Sequence, residues 1–307
     1  MQTAYIVAIR RTPVGKAIRG AFAQTRPDDL LAKVIRSVNA SIPELPASRV
    51  QDVVIGCATQ ESEQGLNIAR QAALLAGLPH TTSAMTVNRL CASGLESIAI
   101  AAQRIQMGLA DVIVAGGVES MSLIPMGGER IKPNPDLIQH PELQGAVLTM
   151  GLTAEQVAKQ WHVTRTQQDE WAWQSHQRAI AAQDEGLYHH EIVPTLNHNA
   201  QSIEADEGPR RDTSLEALSQ LNPAFHADGT VTAGNASQVS DGAAACLLVS
   251  ERVVQELHLK PMARFVGYTV QGVAPEIMGI GPIPAVQALL EQHKLTLDDI
   301  SWIELNE

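Results

Sequence analysis

Aromatic side chains are scarce in this 307-residue chain: three Phe, four Trp and three Tyr make up only 3% of it. A core built from such a sequence has to be aliphatic, and with 45% hydrophobic residues there is material enough to fill one. Charge is also sparse, 18% against the roughly 25% usual in soluble domains, which excludes a disordered polyelectrolyte. The formal charge of −11, from 33 acidic and 22 basic residues, opposes a phosphate backbone, so nucleic acid is not an expected partner. Cysteines number three, Cys57, Cys91 and Cys246, far apart and odd in count. That usage excludes a disulfide scaffold and fits free thiols in the reducing cytoplasm. No apolar run approaches the roughly 18 residues of a membrane span. The opening MQTAYIVAIRRTPVG places Arg10 and Arg11 after its short apolar run, an order that does not fit a secretory signal.

At about 150 residues per domain the length implies roughly two domains. Residues 1–120 alternate strand-like and helix-like segments: a β-rich run at 4–9, a helical pattern at 28–39, the strand VVIGCAT, the helix NIARQAALLAGL, the short strand SAMTVN, a helix after Cys91 and the strand DVIVAGG. Such alternation implies parallel pairing in a layered α/β half. From 121 to 242 Gly and Pro become frequent, and two helices, TAEQVAKQ and TQQDEWAWQSHQRAIAAQ, stand inside an inserted loop-rich region. Thr153 with Gln156, and Thr164 with Gln167, have capping-box spacing. The α/β pattern returns at 243–262 with the strand AAACLLVS and the helix SERVVQEL, followed by a strand-like ARFVGYTVQGV. An internal repeat then emerges: helix 284–293 followed by LTLDDISWIELNE has the order of parts of helix 28–39 followed by LPASRVQDVVIGCATQ. Residues 263–307 accordingly read as the start of a second, related half, which by its own symmetry stops before segments equivalent to 60–120.

Cys91 lies where a short strand gives way to a long amphipathic helix. The positive end of that helix favours a thiolate, and Ala92, Ser93 and Gly94 leave room for an acyl carbonyl to approach the sulfur. A packed, inert thiol is the other reading of the same position, since free cysteine is among the most buried residue types. For Cys57 and Cys246, inside apolar strands, the inert reading prevails. Gly234 to Ser237 form a turn that either approaches a ligand or simply reverses the chain. Arg210 and Arg211 could meet a phosphate, or could be a solvated cluster beside Asp206, Glu207 and Asp212. His189 and His190 lack further ligands at metal-site spacing, so no metal is expected. Gly116-Gly117 lacks the G-x-G-x-x-G spacing of a dinucleotide loop.

The stretch NRLCASGLESIAIAAQRIQMG followed by DVIVAGGVESMS resembles the nucleophile segment of the thiolases, the acyl-CoA acyltransferases. AIRRTPVGKAIRGAF, TMGLTAEQVA, DEGPRRDTSLEAL, FHADGTVTAGNASQVSDGAAA, PEIMGIGPIPA and the terminal IELNE resemble further thiolase segments, in family order over essentially the whole chain. The resemblance implies a layered αβαβα fold of two related halves with the inserted region at 121–242. It implies that Cys91 accepts the acyl group and that Asn306 positions an oxyanion-hole water. Arg210 and Ser237 would line the coenzyme A site, with Met150 near the pantetheine. Coenzyme A and acyl-CoA would be substrates, with no separate cofactor, and the chain would form a homodimer or homotetramer, with a β-oxidation partner subunit as a further option.

Two departures from the family pattern matter. Thr149 stands where short-chain biosynthetic thiolases have a histidine, and PEIMGIGP is more similar to the degradative 3-ketoacyl-CoA branch, so thiolysis in fatty-acid breakdown is expected. An acetoacetyl-CoA thiolase working in the condensing direction and a non-catalytic acyl-CoA or lipid carrier are the alternatives. The family's later Gly-His-Pro and Cys-Gly segments, which supply the activating histidine and the second acid/base, have no counterpart among these residues. The chain as written is therefore expected to lack part of the catalytic set.

Overall fold

Residues 2–306 are described by the computed structural model, in which the chain forms nine strands and nine α-helices among the described residues. They run β1 (Ala4–Arg11), β2 (Gly15–Lys16), α1 (Pro27–Ala40), β3 (Asp52–Gly56), α2 (Ile68–Leu75), β4 (Ser83–Val87), α3 (Ser93–Gln106) and β5 (Val112–Ser120). There follow α4 (Pro135–Gln139), α5 (Met150–Gln160), α6 (Arg165–Asp184), β6 (Thr195–Leu196), β7 (Ser202–Ile203), α7 (Leu215–Ser219), β8 (Ser240–Ser250), α8 (Glu251–Glu256), β9 (Ala263–Arg264) and α9 (Pro282–His293). Two units share them: Met1–Ile131, Glu185–Gly208 and Gln238–Val266 make the first, and Lys132–Asp184, Pro209–Ser237 and Gly267–Glu307 the second.

In the first unit a sheet ordered β4-β3-β5-β8-β1-β9, with β2 beside β8, has a core on each face. Alternate side chains of a strand point to opposite faces. Val53, Ile55, Val112, Val114, Leu247 and Val249 accordingly meet the α1 side, and Val54, Ile113, Ala115, Cys246 and Leu248 the α3 side. Helix α1 presents Leu30, Leu31, Val34, Ile35 and Val38, all buried, at the spacing of one helical face. Each contributes about 1.5–3 kcal/mol as an upper figure. Pro27 at its first turn and the acidic Asp28 and Asp29 suit a helix start. On the opposite face α3 packs through Ala101, Ala102 and Ile105, and its small side chains let the helix lie close to the sheet. Among the largest fully buried side chains of the described residues Phe22 is the lone aromatic, in keeping with the composition.

Parallel pairing holds for β3 with β4 and with β5, but β8 runs antiparallel to both β5 and β1. The reason lies in the excursion between them. β5 leaves the sheet at Ser120, which pairs with Asp241, so β8 enters at the end where β5 left and has to run back. Strand β1 carries an irregularity between Ile6 and Ala8, which switches the parity of its faces and puts both Val7 and Ala8 in the α1-side core. The segment 185–208 belongs with this sheet rather than with the rest of the inserted region. Its Asp206 accepts two hydrogen bonds from the Arg11 guanidinium, at 2.7 and 2.9 Å, Glu191 accepts a third at 2.7 Å, and the guanidinium stands 5.2 Å from the centre of the Tyr188 ring. These carboxylates raise the pKa of Arg11 against the opposing effect of burial.

In the second unit α5 and α6 are the expected helices. Thr164 and Gln167 cap α6 reciprocally, at 2.8 and 3.3 Å. Thr153 does not cap: α5 starts one turn earlier, at Thr149, and the Thr153 hydroxyl donates to the Met150 carbonyl inside the helix. Two expected strands are also corrected. ARFVGYTVQGV pairs only at Ala263–Arg264, because its partner β1 begins at Ala4 and offers nothing beyond Phe265, whose N–H donates to Ala4 O. Of IELNE, whose last residue lies outside the described residues, 303–306 form no strand, since no ladder partner stands beside them among the described residues. Helix α9 forms where expected, but it buries none of its residues, and Trp302, Ile303 and Leu305 are exposed.

Back in the first unit, the start of α3 sits on bare backbone at the end of β3. A Cβ added at Gly56 would collide with the Ser93 carbonyl and the Gly94 nitrogen, whereas one added at Gly94 would meet nothing within 4 Å. Gly56→Ala is therefore expected to destabilise the fold by about 1–3 kcal/mol or more through forced separation of helix and strand. Gly94→Ala, in a helical position, is expected to be neutral or stabilising by up to about 1 kcal/mol. Urea unfolding of the two variants checks the contrast, and equal midpoints would refute it.

Candidate active site

Between Val87, the last residue of β4, and Ser93, the first of α3, the chain makes a tight turn that carries Cys91. Ala92 N–H donates to Arg89 O and Ser93 N–H to Leu90 O, both at 3.0 Å, and Leu90 takes a left-handed conformation at φ 46°. The buried Ser93 hydroxyl accepts from Arg89 N–H at 2.8 Å and reaches Leu90 O at 2.5 Å, so it braces both sides of the bend. Arg89 pairs with Glu96, one turn into α3. Cys91 itself is exposed, at the end of α3 where the first-turn N–H groups lack intrahelical partners.

Helix α3 is fixed at both ends. Near its start the fully buried Ser97 hydroxyl accepts from Gly116 N–H at 3.1 Å and lies 2.7 Å from Gly116 O and from Gly94 O. Near its end Arg104 donates to Asp52 at 2.7 Å, and the same buried carboxylate accepts from Val53 N–H and the Ser83 hydroxyl. Gly116 and Gly117, which lack a dinucleotide-loop spacing, lie within β5, opposite Ile55 and Gly56.

The other two thiols are buried. Cys246 is pushed up to about 12 by burial, and Cys57 to about 12 by burial and then by the Glu119 carboxylate. Glu119 in turn accepts from the N–H groups of Ala58 and Thr59, at 2.7 and 3.2 Å, and from the Gln64 amide at 2.8 Å. Asn88, Ser97, Gln64 and Glu119 were not singled out from the sequence. Asn88, two residues ahead of a left-handed residue, carries the one legible signal, that of an Asx turn.

Met150, Arg210, Ser237 and Asn306 all belong to the second unit. Met150 opens α5 and is exposed, and the next residue, Gly151, leaves room for the Phe225 ring, into which a Cβ would run. The turn before Ser237 is a closed circuit: Asn235 Oδ1 accepts from Thr232 N–H at 2.7 Å, and Thr232 Oγ1 accepts from Gly234 N–H at 3.1 Å. It is tied to both helices. Asn235 Nδ2 donates to the buried Asp169 of α6 at 2.9 Å, and Glu155 of α5 accepts from Thr230 and Val231 N–H at 2.9 and 2.8 Å. Ser237 follows on the surface. Arg210 donates its backbone N–H to His176 of α6 at 3.2 Å, while its exposed guanidinium lies 3.2 Å from Asp212, which raises its pKa. Arg211 pairs instead with Asp184. Asn306 is exposed on the irregular segment 301–306. A cavity of about 440 Å³ at the α5–α6 junction is lined by Trp161, His162, Val163, Gln167, Gln168, Trp171 and Asn235.

Comparison with known proteins gives this arrangement a family. Residues 4–252 match the family model described as thiolase, N-terminal domain, and residues 259–307 match thiolase, C-terminal domain. The chain belongs to the thiolase family. Within that family it is 47% identical to a 3-ketoacyl-CoA thiolase of Bacillus subtilis, over 100% of this chain and 81% of that one. It is 45% identical to one of Cronobacter sakazakii, over 100% and 80%. Two solved structures superpose closely. The dimeric peroxisomal thiolase of Saccharomyces cerevisiae matches with a TM-score of 0.91 at 36% identity, over 97% of this chain and 77% of that one. The Bacillus anthracis acetyl-CoA acetyltransferase matches with a TM-score of 0.86 at 38% identity, over 97% and 78%. The thiolase chain is thus an acyltransferase by family, with the layered α/β fold its sequence implied. No helix among its described residues is long and apolar enough to cross a membrane.

One exposed and two buried thiols make a sharp expectation for this thiolase. Under iodoacetamide at neutral pH, peptide mass mapping should find Cys91 alkylated well before Cys57 and Cys246, whose raised pKa values keep them protonated. Faster labelling of either buried cysteine in the folded protein would remove Cys91 from the role of nucleophile.

Proposed function

We propose that the protein is a 3-ketoacyl-CoA thiolase, cleaving its substrate with coenzyme A to acetyl-CoA and a shortened acyl-CoA. The observation that carries the reading is the exposed thiol of Cys91 at the start of α3, in a chain whose full length aligns at 42–47% identity with proteins of that name. The Cys91 thiolate attacks the 3-keto carbon and forms a carbon–sulfur bond. Collapse of the tetrahedral oxyanion breaks the C2–C3 bond, and the electron pair left on C2 takes up a proton to give acetyl-CoA. The thiol of coenzyme A, losing its proton, then attacks the acyl-cysteine carbonyl, and Cys91 leaves as thiolate. Across the two half-reactions one proton is lost and one gained, so no resident cofactor is called for. Splitting a difficult carbon–carbon cleavage into covalent steps is what an activated thiol offers. Asn306 is assigned to the water of the oxyanion hole, where one donor is typically worth about 3–4 kcal/mol. A Gly-His-Pro segment is not among the 307 residues, so the group that deprotonates the thiol is not assigned to any of the ten histidines.

Coenzyme A is assigned to Arg210, Ser237 and Met150. What supports this is that the Arg210 segment and the turn before Ser237 are both held on α6, and that the guanidinium's partner Asp212 is itself exposed. An exposed pair of this kind is worth only about 0–1 kcal/mol, so exchanging Asp212 for a phosphate costs little. Assembly as a homodimer is part of the proposal. β4 stands at the edge of its sheet, an edge strand offers unpaired backbone groups to a second chain, and the yeast structure is described as dimeric. Placement in fatty-acid breakdown rests on the 3-ketoacyl-CoA thiolase relatives and on Thr149 and PEIMGIGP, and placement in the cytoplasm on the three unpaired cysteines of the sequence.

Condensation of acetyl-CoA is the alternative that the same experiments separate from thiolysis. Acyl-enzyme formation at Cys91 from labelled acyl-CoA, and its loss in Cys91→Ser, tests acyl transfer itself, and a carrier without turnover would show none. A chain-length series should then give faster acylation of Cys91 from medium or long 3-ketoacyl-CoA than from acetoacetyl-CoA. Reaction confined to the four-carbon substrate would favour the biosynthetic reading.

Arg210→Ala is expected to weaken coenzyme A by about 1.5–3 kcal/mol, the usual cost of a lost charged hydrogen bond. If the 3′-phosphate is its partner, dephospho-coenzyme A should be unaffected. Calorimetry with both ligands decides, and unchanged affinity for each would take Arg210 out of the site.

A further inference from the structure

The turn that presents Cys91 is held in a conformation its own residue does not favour. Leu90 sits at φ 46°, in the left-handed region that glycine adopts freely and that a leucine enters only when its surroundings enforce it. Nor is Leu90 held there by packing, because its side chain is 63% exposed. What enforces the geometry is hydrogen bonding, and Asn88 makes the decisive pair of bonds. Its Oδ1 accepts from Leu90 N–H at 2.7 Å, closing the bend, while its Nδ2 donates to Ala58 O at 2.9 Å. Ser93 braces the same bend from within, through Arg89 N–H and Leu90 O, but both of its partners belong to the turn.

Asn88 instead refers the turn to the sheet. The peptides it grips, just past the end of β3, are themselves immobilised: Ala58 N–H and Thr59 N–H donate to Glu119 at the end of β5. The Glu119 carboxylate is fixed by the fully buried Gln64, which donates to it and to Thr59 O and accepts from Ser120 N–H. A continuous line of hydrogen bonds thus runs from β5 through Glu119, the Ala58–Thr59 peptides and Asn88 to the Leu90 N–H, next to the reactive cysteine. We infer that Asn88 is a positioning residue for Cys91, holding Leu90 in its left-handed conformation so that the exposed cysteine is presented at the start of α3. The inference rests on the assignment of Cys91 as the reacting thiol.

The conformation gives a test that a merely stabilising role would not pass. If Asn88 acts by enforcing a positive φ at position 90, a residue that adopts that φ without help should make Asn88 dispensable. The second-order rate of Cys91 alkylation by iodoacetamide is measured for the parent, Asn88→Ala, Leu90→Gly and the double variant, with the melting temperature of each. Asn88→Ala is expected to slow alkylation about tenfold, the scale of a modest misplacement of a reacting group. Leu90→Gly alone should react near the parent rate, and adding it to Asn88→Ala should restore most of the loss. A parent-like rate in Asn88→Ala, or a slow double variant, overturns the inference. Should Asn88→Ala fail to fold, Asn88→Ser serves in its place. Its hydroxyl retains an acceptor for Leu90 N–H but gives up the reach to Ala58, so slowed alkylation that Leu90→Gly relieves supports the inference, and a parent-like rate refutes it. Because alkylation needs no acyl-CoA, these outcomes stand apart from the thiolase reading, which acyl-enzyme formation in the parent protein decides separately.

Discussion

Close approach of helix α3 to the sheet is the constraint on which the rest of the site depends. A helix can bring its positive end to a given point only if it is seated along its whole length, and α3 is seated three ways. Its start rests on Gly56, its Ser97 hydroxyl is bonded into the Gly116 peptide, and its far end is held by Arg104 on Asp52. The alanines between, Ala101 and Ala102, add burial without bulk. Larger side chains along that face would gain more apolar area and push the helix away from β3 and β5. The scarcity of aromatics in the composition is the visible trace of this choice: close layers need small and branched aliphatic side chains, and stability is recovered by burying many of them.

Most of the first unit was legible because its elements are dictated by local pattern. The α1 stripe and the β3, β5 and β8 runs carry their burial in their spacing, and helix and strand periods differ enough to be told apart. The direction of β8 was not legible, because it follows from where the chain that left the sheet at Ser120 re-enters it, at Asp241 opposite Ser120. Strand length failed for a related reason. ARFVGYTVQGV and IELNE have β-branched and apolar residues enough for strands, but a strand exists only where a neighbour supplies a ladder, and neighbours are a property of the whole chain. The Thr153 expectation failed locally: two hydroxyls four residues apart, Thr149 and Thr153, both precede helical sequence, and only the first has a free first-turn N–H to accept from.

The candidate nucleophile was legible in the sequence and its support was not. Cys91 announces itself by family segment and by its place before an amphipathic helix. The groups that hold it, Asn88, Ser93, Ser97, Glu119 and Gln64, are common polar residues whose partners lie up to 62 positions away in sequence, as with Glu119 and Cys57. No periodicity marks them. Hydrogen-bonded support of this kind is read from geometry alone.

Burial, rather than any special base, is what separates the three thiols in the structure. Cys57 stands at the end of β3, against a carboxylate, in a pocket that opposes its ionisation twice over, by desolvation and by like charge. Cys246 is sealed between the strands and α3. Both are thereby kept as small apolar side chains in the core. Cys91 differs by standing outside the core altogether, on a turn tied to the end of β3 through the side-chain hydrogen bonds of Asn88. In the proposed assignment, what sets Cys91 apart from the two buried thiols is its exposure and the turn that carries it. That is also why a glycine under the helix and an asparagine beside the turn matter more to this site than any additional charge near the sulfur would.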